Sequence, residues 1–279
     1  MAITHFIPTV WSESLLQSLD ARYVGVANCN RDFEGEIKNC GSVVKICGVG
    51  TINVTDYTKN TNMNDPQTLS DTVRELVIDQ AKYFNFQIDD VDRAQCTPKL
   101  MDGAMKIAAS ALADAADRHV YSLYRNHENR LSYEYPDGSK IFDAILAARE
   151  RLYSENVFDD TEVVLEVSPQ IASLIYKDKL ELSTSNGELL ETGCIGSIAG
   201  CKVFVTNGIQ HDAVASDMET YHCFMRTKRA IAFAEQLSEI EAYRPEQRFA
   251  DAVKGLHLYG AQIVYPSELV VIDYTVYTC

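Results

Sequence analysis

The sequence predicts an α+β fold in which helices and strands do not alternate regularly. Two segments with β periodicity, 43–55 and 76–88, come first, and an uninterrupted helical pattern from Pro98 to Arg125 follows them. Helices and strands then mix from residue 139 onward, without a fixed-period repeat or a linker rich in Gly, Ser or Pro. We therefore expect closely joined domains rather than separate modules.

Composition and charge argue against some classes of function. Hydrophobic residues make up 46% of the 279-residue chain and charged residues 23%, as in ordinary globular proteins. The 25 Lys and Arg against 40 Asp and Glu give a net charge of −15, which opposes the electrostatic attraction that drives nucleic-acid binding. No apolar run approaches the roughly 20 residues of a membrane span. The sequence argues against a free-standing nucleic-acid binder and against a membrane partner.

The first 40 residues carry few periodic signals. Leu15, Leu16 and Leu19 lie at helical spacing within the segment Trp11–Leu19. This pattern predicts an exposed N-terminal arm with a short helix.

The two β segments predict a long hairpin. In the first, Val44, Ile46, Ile52 and Val54 share one face, and in the second a single parity runs from Leu76 to Ile88. The intervening segment 57–70 is polar and rich in turn-forming residues, which does not suit burial. We expect an exposed hairpin tip that contacts another molecule, because an isolated two-stranded ribbon is marginally stable in water.

The helical pattern begins at Thr97 and Pro98, a capping residue followed by a residue suited to the first helical position. At about 1.5 Å per residue, a helix to Arg125 reaches about 42 Å. His119 lies on its apolar stripe, where a structural role is more typical than metal binding.

The second half of the chain predicts an α+β domain with strands near its C-terminus. Helices are expected at Phe142–Leu152 and Pro169–Tyr176. Strands are expected at Glu162–Val167, Cys201–Thr206, Tyr221–Met225, Ala230–Ala234, Glu239–Tyr243, Leu256–Val264 and Leu269–Val276.

One carboxylate cluster, Asp89, Asp90 and Asp92, has residues of the type that bind magnesium or act as acid and base. The same cluster is typical of a solvated turn, with Arg93 as an ion-pair partner. The six histidines and eight cysteines lack the spacing of metal or redox motifs. We expect no catalytic residue, no cofactor and no metal, and we expect most cysteines to be reduced.

Several strings together resemble the major capsid proteins of tailed bacteriophages. They are FIPTVWSESLL at Phe6–Leu16, NRDFEGEI at Asn30–Ile37, GVGTINVTDYTKN at Gly48–Asn60, LVIDQAKYFNFQIDDVDRAQ at Leu76–Gln95, IAGCKVFVTNGI at Ile198–Ile209 and GLHLYGAQIVYPSELVV at Gly255–Val271. No string alone is specific, but their order extends the resemblance over nearly the whole chain.

The resemblance implies the Hong Kong 97 capsid fold. It implies an N-terminal arm at 1–31, an extended loop at 32–91, a peripheral domain with a spine helix at 92–138 and 243–279, and an axial domain at 139–242. The discontinuous peripheral domain would account for the missing linker.

The function implied is structural: self-assembly, through hexamers and pentamers, into an icosahedral shell around double-stranded DNA. The expected location is the virion capsid, assembled in the bacterial host cytoplasm, with passive DNA contact. Portal and cement proteins are possible partners, and because the chain begins almost directly in arm sequence, we expect either a separate scaffolding protein or scaffold-free assembly. Expected subunit-contact residues are Arg31, Asp32, Glu34, Tyr57 and Lys59. The alternatives are the shell protein of a cellular compartment and a metal-dependent hydrolase that uses Asp89, Asp90 and Asp92.

Overall fold

The computed structural model describes residues 15, 18–33, 43–49, 56, 59, 71–89, 100–134, 141–157, 162–177, 194–215, 217–246 and 250–277. In chain order the elements are β1 Val43–Val49, β2 Asp71–Val77, β3 Gln80–Asp89, α1 Leu100–Ser122, β4 Arg130–Glu134, α2 Ile141–Ser154, β5 Val163–Val167, α3 Pro169–Lys177, β6 Cys194–Ile198, β7 Cys201–Val205, β8 His211–Ala215, β9 Met218–Thr227, β10 Ile231–Tyr243, β11 Ala250–Ile263 and β12 Leu269–Tyr277. The strands form three sheets, which confirms the α+β class.

The largest sheet has seven strands in the order β4-β12-β9-β5-β7-β6, and β8 pairs with β9 beside this path. β12 is parallel to β4 and antiparallel to β9. One face packs against α2 and α3 in a core that includes Ile145, Leu152, Ile171, Leu165 and Ile272. The apolar steps of three and four residues in both helices explain this packing.

A three-stranded sheet, β10-β11-β3, packs against α1. The shared core includes Leu112, Ala116 and Val120 of the helix and Phe233 and Tyr259 of the sheet. β3 pairs with β11 and β9 pairs with β12, so neighbouring strands come from distant parts of the chain.

The third sheet is a hairpin of β1 and β2, in register from Val43 opposite Val77 to Val49 opposite Asp71. Its inner face packs on the three-stranded sheet through a cluster of Val44, Ile46, Leu76, Ile78, Ala232, Ala234, Leu258 and Val264. The structure thus has a hairpin that begins at Val43 as predicted, but only Leu76 and Val77 of the predicted second strand belong to it.

The prediction that one continuous strand runs from Leu76 to Ile88 is wrong. β2 begins earlier, at Asp71, and ends at Val77, and after two residues β3 pairs with β11 instead of β1. The alternation of side chains continues unchanged across the break, so periodicity does not reveal the change of partner.

The N-terminal segment is a core component where it is described. Leu15, Leu19, Tyr23, Val26 and Cys29 are all buried in the same cluster as α1. The expectation of a fully exposed arm is therefore wrong at these five residues, because the rest of the chain covers them.

The long helix is confirmed over its described part. α1 runs from Leu100 to Ser122 and continues as a 3₁₀ turn, Leu123–Asn126. The predicted start at Pro98 lies outside the described residues. His119 has the expected structural role, since its ring packs edge-on against Tyr259 with centroids 5.6 Å apart. Neither this helix nor the other described ones are long and apolar enough to cross a bilayer.

The other predicted helices and strands are confirmed with small shifts in their ends. The predicted strands Ala230–Ala234 and Glu239–Tyr243 form the single strand β10, with a register shift between Leu237 and Glu239. Three short strands escaped prediction: β4, β6 and β8. β4 and β8 contain no fully buried residue, and β6 is interrupted by Gly196 and Ser197, so none of them has a buried apolar pattern that marks a strand.

Candidate functional site

Two of the predicted contact residues lie where the N-terminal segment leaves the core. Nη1 of Arg31 lies 2.8 Å from Oδ1 of Asp20, and its Nη2 lies 2.5 Å from Oε1 of Glu235. The backbone N–H of Asp32 donates to Oδ1 of Asn30 at 3.0 Å. Arg31 is thus engaged inside its own chain, and its side chain remains 30% exposed.

Of the other three predicted contact residues, the structure describes only Lys59, which is exposed. Glu34 and Tyr57 lie outside the described residues. Contact of any of these five residues with another subunit stays a prediction.

Glu235 is the centre of a buried polar cluster that joins the N-terminal segment to the three-stranded sheet. Its Oε2 lies 2.8 Å from Nε2 of His257 and accepts a hydrogen bond from the Tyr23 hydroxyl. Burial alone would raise the pKa of Glu235, but the hydrogen bonds from His257 and Tyr23 outweigh it and lower the pKa. The carboxylate therefore stays charged and fixes the direction of Arg31.

A second cluster fixes residues 24–29. The Arg226 guanidinium donates to the backbone carbonyls of Gly25 at 2.8 Å and Asn28 at 2.5 Å. It also makes two 2.9 Å hydrogen bonds to Glu166. These contacts join β9 and β5 to the segment that precedes the predicted extended loop.

Asp117 of α1 holds the same segment from the other side. Its two carboxylate oxygens accept hydrogen bonds from the backbone N–H groups of Val24 at 3.0 Å and Val26 at 2.9 Å. Burial raises the pKa of Asp117 to about 6, although these hydrogen bonds act against the shift. Residues 24–29 are thus positioned by side chains from three distant elements, α1, β5 and β9.

The carboxylate cluster is described only in part. Asp89 ends β3, whereas Asp90 and Asp92 lie outside the described residues. Elsewhere in the described ranges, no three His, Cys, Asp or Glu side chains converge in a way that could hold a metal ion.

Three cysteines in the described ranges are buried and form no disulfide: Cys29, Cys201 and Cys223. Burial raises the pKa of Cys29 to about 11 and that of Cys223 to about 12. These thiols are therefore protonated at neutral pH and unreactive.

Exposed apolar residues concentrate beside the hairpin. On its outer face Val43, Val73 and Val77 are 46%, 48% and 44% exposed. On the neighbouring sheet Tyr83 is 78% exposed and lies directly opposite Leu256, which is 38% exposed. Such grouped apolar surface is typical of a protein contact rather than of a substrate pocket.

The buried polar clusters were not found from the sequence. Arg226 and Glu166 are 60 positions apart, and Glu235 and Tyr23 are 212 apart. Only the fold brings them together, and no local motif marks them.

Comparison with solved structures gives matches over most of the chain. A structure from Mycobacterium phage Che8 is 27% identical, with a TM-score of 0.69 and coverage of 90% of both chains. The capsid of Ralstonia phage GP4 is 12% identical, with a TM-score of 0.66 over 94% of this chain and 91% of the other. A virus-like particle from Pyrococcus furiosus is 10% identical, with a TM-score of 0.56 over 95% and 99%.

No protein-family model matches the sequence, and no curated protein matches it. The structural matches therefore carry the assignment, and they agree with the strings in the sequence that resemble capsid proteins. The chain has the fold of phage capsid proteins.

Proposed function

We propose that the chain is the major capsid protein of a tailed phage and self-assembles into the icosahedral shell that encloses a double-stranded DNA genome. The likeness to the Che8 structure carries this proposal, because it combines 27% identity with 90% coverage of both chains. The shell function follows from that likeness, and the location is the virion capsid.

The shell protein of a cellular compartment is the second candidate. The Pyrococcus furiosus particle favours it, but at 10% identity that likeness speaks for the fold alone. The greater identity and TM-score of the Che8 match favour the virion.

A structural role agrees with the chemistry of the described residues. Their buried charges pair with one another in positioning contacts, as Arg226 does with Glu166 and His257 does with Glu235. We accordingly propose that the chain is not an enzyme and needs no cofactor.

The assembly contacts are proposed on the surface beside the hairpin. The inner face of the hairpin packs on the three-stranded sheet of the same chain, while its outer face leaves three valines exposed. An apolar strip of this kind is stabilised when another subunit covers it. Arg31, Asp32, Glu34, Tyr57 and Lys59 remain the proposed subunit-contact residues within hexamers and pentamers.

The domain division is proposed as the resemblance implies it: arm 1–31, extended loop 32–91, peripheral domain 92–138 with 243–279, and axial domain 139–242. Scaffolding, portal and cement proteins are proposed partners. Assembly is proposed to occur in the host cytoplasm, where free buried thiols such as Cys29 and Cys223 stay reduced.

The net charge of −15 supports passive contact with packaged DNA, because like charges repel and only local contacts remain.

Sedimentation velocity of the purified chain in native buffer tests the shell proposal. We expect a fast, homogeneous boundary of closed particles, formed by the chain alone or with co-expressed phage proteins. A chain that stays monomeric at every concentration, with and without those proteins, would remove the proposal.

A further inference from the structure

In the described part of the chain, strand β8 pairs with a single neighbour, β9. All five of its residues are exposed, and Val214 is 63% exposed. It pairs with β9 at four register positions, with an irregularity between Ala213 and Ala215. Side-chain contacts therefore matter more for the position of β8 than for the central strands of the sheet.

The main side-chain contact of β8 runs through Asp212. Its Oδ2 accepts a hydrogen bond from the Tyr124 hydroxyl at 3.0 Å and lies 3.2 Å from Nε2 of His222. The Asp212 side chain is 58% exposed, whereas that of His222 is 4% exposed. An exposed strand is thus tied to a buried imidazole.

The other ring nitrogen of His222 is already engaged. Nδ1 lies 2.6 Å from Oδ1 of Asp273, whose Oδ2 accepts a hydrogen bond from Nε of Arg130 at 2.7 Å. The Tyr124 ring stacks on the imidazole with centroids 3.9 Å apart. The imidazole is therefore held with one ring nitrogen facing each carboxylate.

This geometry makes the contact with Asp212 depend on a proton. Only the imidazolium carries a proton on both nitrogens and can donate to both carboxylates. A neutral imidazole has one proton, which the shorter and more buried contact with Asp273 retains. Nε2 then presents its lone pair to an oxygen of Asp212, and the attraction is lost.

Hydrogen bonds favour the ionised form of both carboxylates. Burial would raise the pKa of Asp212 and of Asp273, but hydrogen bonds outweigh it and lower both. The donors are Tyr124 and His222 for Asp212, and His222 and Arg130 for Asp273.

The other charged groups around the imidazole are arginines. Nη2 of Arg130 lies 3.5 Å from Nδ1, and the Arg125 guanidinium lies 5.6 Å from the Tyr124 ring centroid. Arginine keeps its charge throughout the accessible pH range. On β8 itself, the ring of His211 stacks on Tyr221 with centroids 5.4 Å apart. The experiment must therefore distinguish an effect of His211 from one of His222.

We propose that His222 is a proton-dependent latch for β8. The imidazolium holds Asp212 and docks β8 against β9, and the neutral imidazole releases Asp212 and loosens the strand. An edge of the large sheet is thereby ordered when the imidazole is protonated and mobile when it is neutral.

Hydrogen exchange with mass-spectrometric detection tests the latch on the unassembled full-length chain. Exchange of peptides that cover 211–215 is measured at about pH 5.5 and about pH 8 and corrected for the intrinsic rates. In the unaltered chain we expect protection to fall about fivefold at the higher pH, less than for a buried charged contact because solvent screens Asp212. All contacts involved lie within one chain, so the result does not depend on shell formation.

Asp212→Asn removes the carboxylate from an exposed position, where misfolding is not expected, and its amide can pair with either form of the imidazole. Protection should then be the same at both pH values. His211→Gln should keep the pH dependence, and Asp217→Asn, which removes a charge from the neighbouring turn, should also keep it. The latch is overturned if the unaltered chain shows no change, if Asp212→Asn keeps the change, or if His211→Gln abolishes it.

Discussion

Arg226 and Glu166 form an ion pair in which both side chains are fully buried, with Nη2 of the arginine 2.9 Å from Oε1 of the glutamate. The pair also holds the backbone carbonyls of Gly25 and Asn28, so it fixes where the N-terminal segment crosses the body of the protein. A crossing fixed by a buried ion pair keeps the same geometry in every copy of the chain.

Glu166→Gln should strongly destabilise the fold. The substitution leaves the Arg226 charge buried without its partner, and breaking a buried pair in this way costs about 3–5 kcal/mol. Chemical denaturation followed by circular dichroism measures the free energy of unfolding.

Glu162→Gln is the matched control on the same stretch of chain. Glu162 pairs with Lys202 at 2.7 Å, but its side chain is 70% exposed. Its loss should cost less than about 1 kcal/mol because solvent screens the pair. Equal effects of the two substitutions would contradict the importance of the buried cluster.

Asp117 should make stability depend on pH. Its pKa in the fold is raised from 3.8 to about 6, so the folded state binds this proton more tightly than the unfolded state. The contribution is fully present below pH 3.8 and is lost as the pH rises through about 6. Between about pH 4.5 and 7 the linkage amounts to about 2 kcal/mol.

The measurement compares the unaltered chain with Asp117→Asn, so that other titrating groups cancel. The stability advantage of the unaltered chain over this variant should shrink by about 2 kcal/mol between about pH 4.5 and 7. A constant difference for Asp117→Asn would show that Asp117 does not titrate in this range.

Gly260→Ala should disturb the packing of the hairpin on the three-stranded sheet. A Cβ at this position would lie 2.2 Å from the backbone oxygen of Val77, so the hairpin would have to move away from the sheet. We expect a loss of about 1–3 kcal/mol, typical of overpacking. In chemical denaturation, the midpoint of unfolding should shift to a lower denaturant concentration.

Gly103→Ala is the control, since a Cβ there meets nothing within 4 Å and Gly103 lies inside α1. Helix propensity predicts a gain of about 0.5–1 kcal/mol. A neutral Gly260→Ala would mean that the hairpin is not closely packed on the sheet.

The sequence was sufficient for the elements that have a strong local period. α1 and α2 were predicted within a few residues because apolar side chains at three- and four-residue steps mark their buried faces. β5 and β12 were predicted because each is a short, mostly apolar run, as is typical of a buried strand. The resemblance of the strings then supplied the fold, which periodicity alone does not specify.

The rest depends on which distant residues meet. Alternation continues from Leu76 through Ile88, yet the chain changes partner between β2 and β3, and only the pairing with β11 shows it. The buried contacts of Glu235 and Asp117 likewise join residues about 90 to 200 positions apart. A single sequence carries no sign of such pairs.

Replacing Gly50–Ser70 with an Asn-Gly turn should separate folding from assembly. Val49 and Asp71 are antiparallel partners at the end of the hairpin, so a two-residue turn can join β1 and β2 without disturbing their register. We expect circular dichroism and the melting curve to stay near those of the parent while closed particles disappear. Normal shells would mean that the segment is not needed for assembly, and an unfolded product would mean that it belongs to the core.

Electron microscopy of the purified full-length chain tests most directly whether it is a shell subunit. We predict closed particles of icosahedral symmetry, formed by the chain alone or with co-expressed phage proteins, and a reconstruction in which neighbouring copies cover the exposed valines of the hairpin. A field of monomers under all of these conditions, or closed particles in which the outer face of the hairpin remains bare, would contradict this assignment.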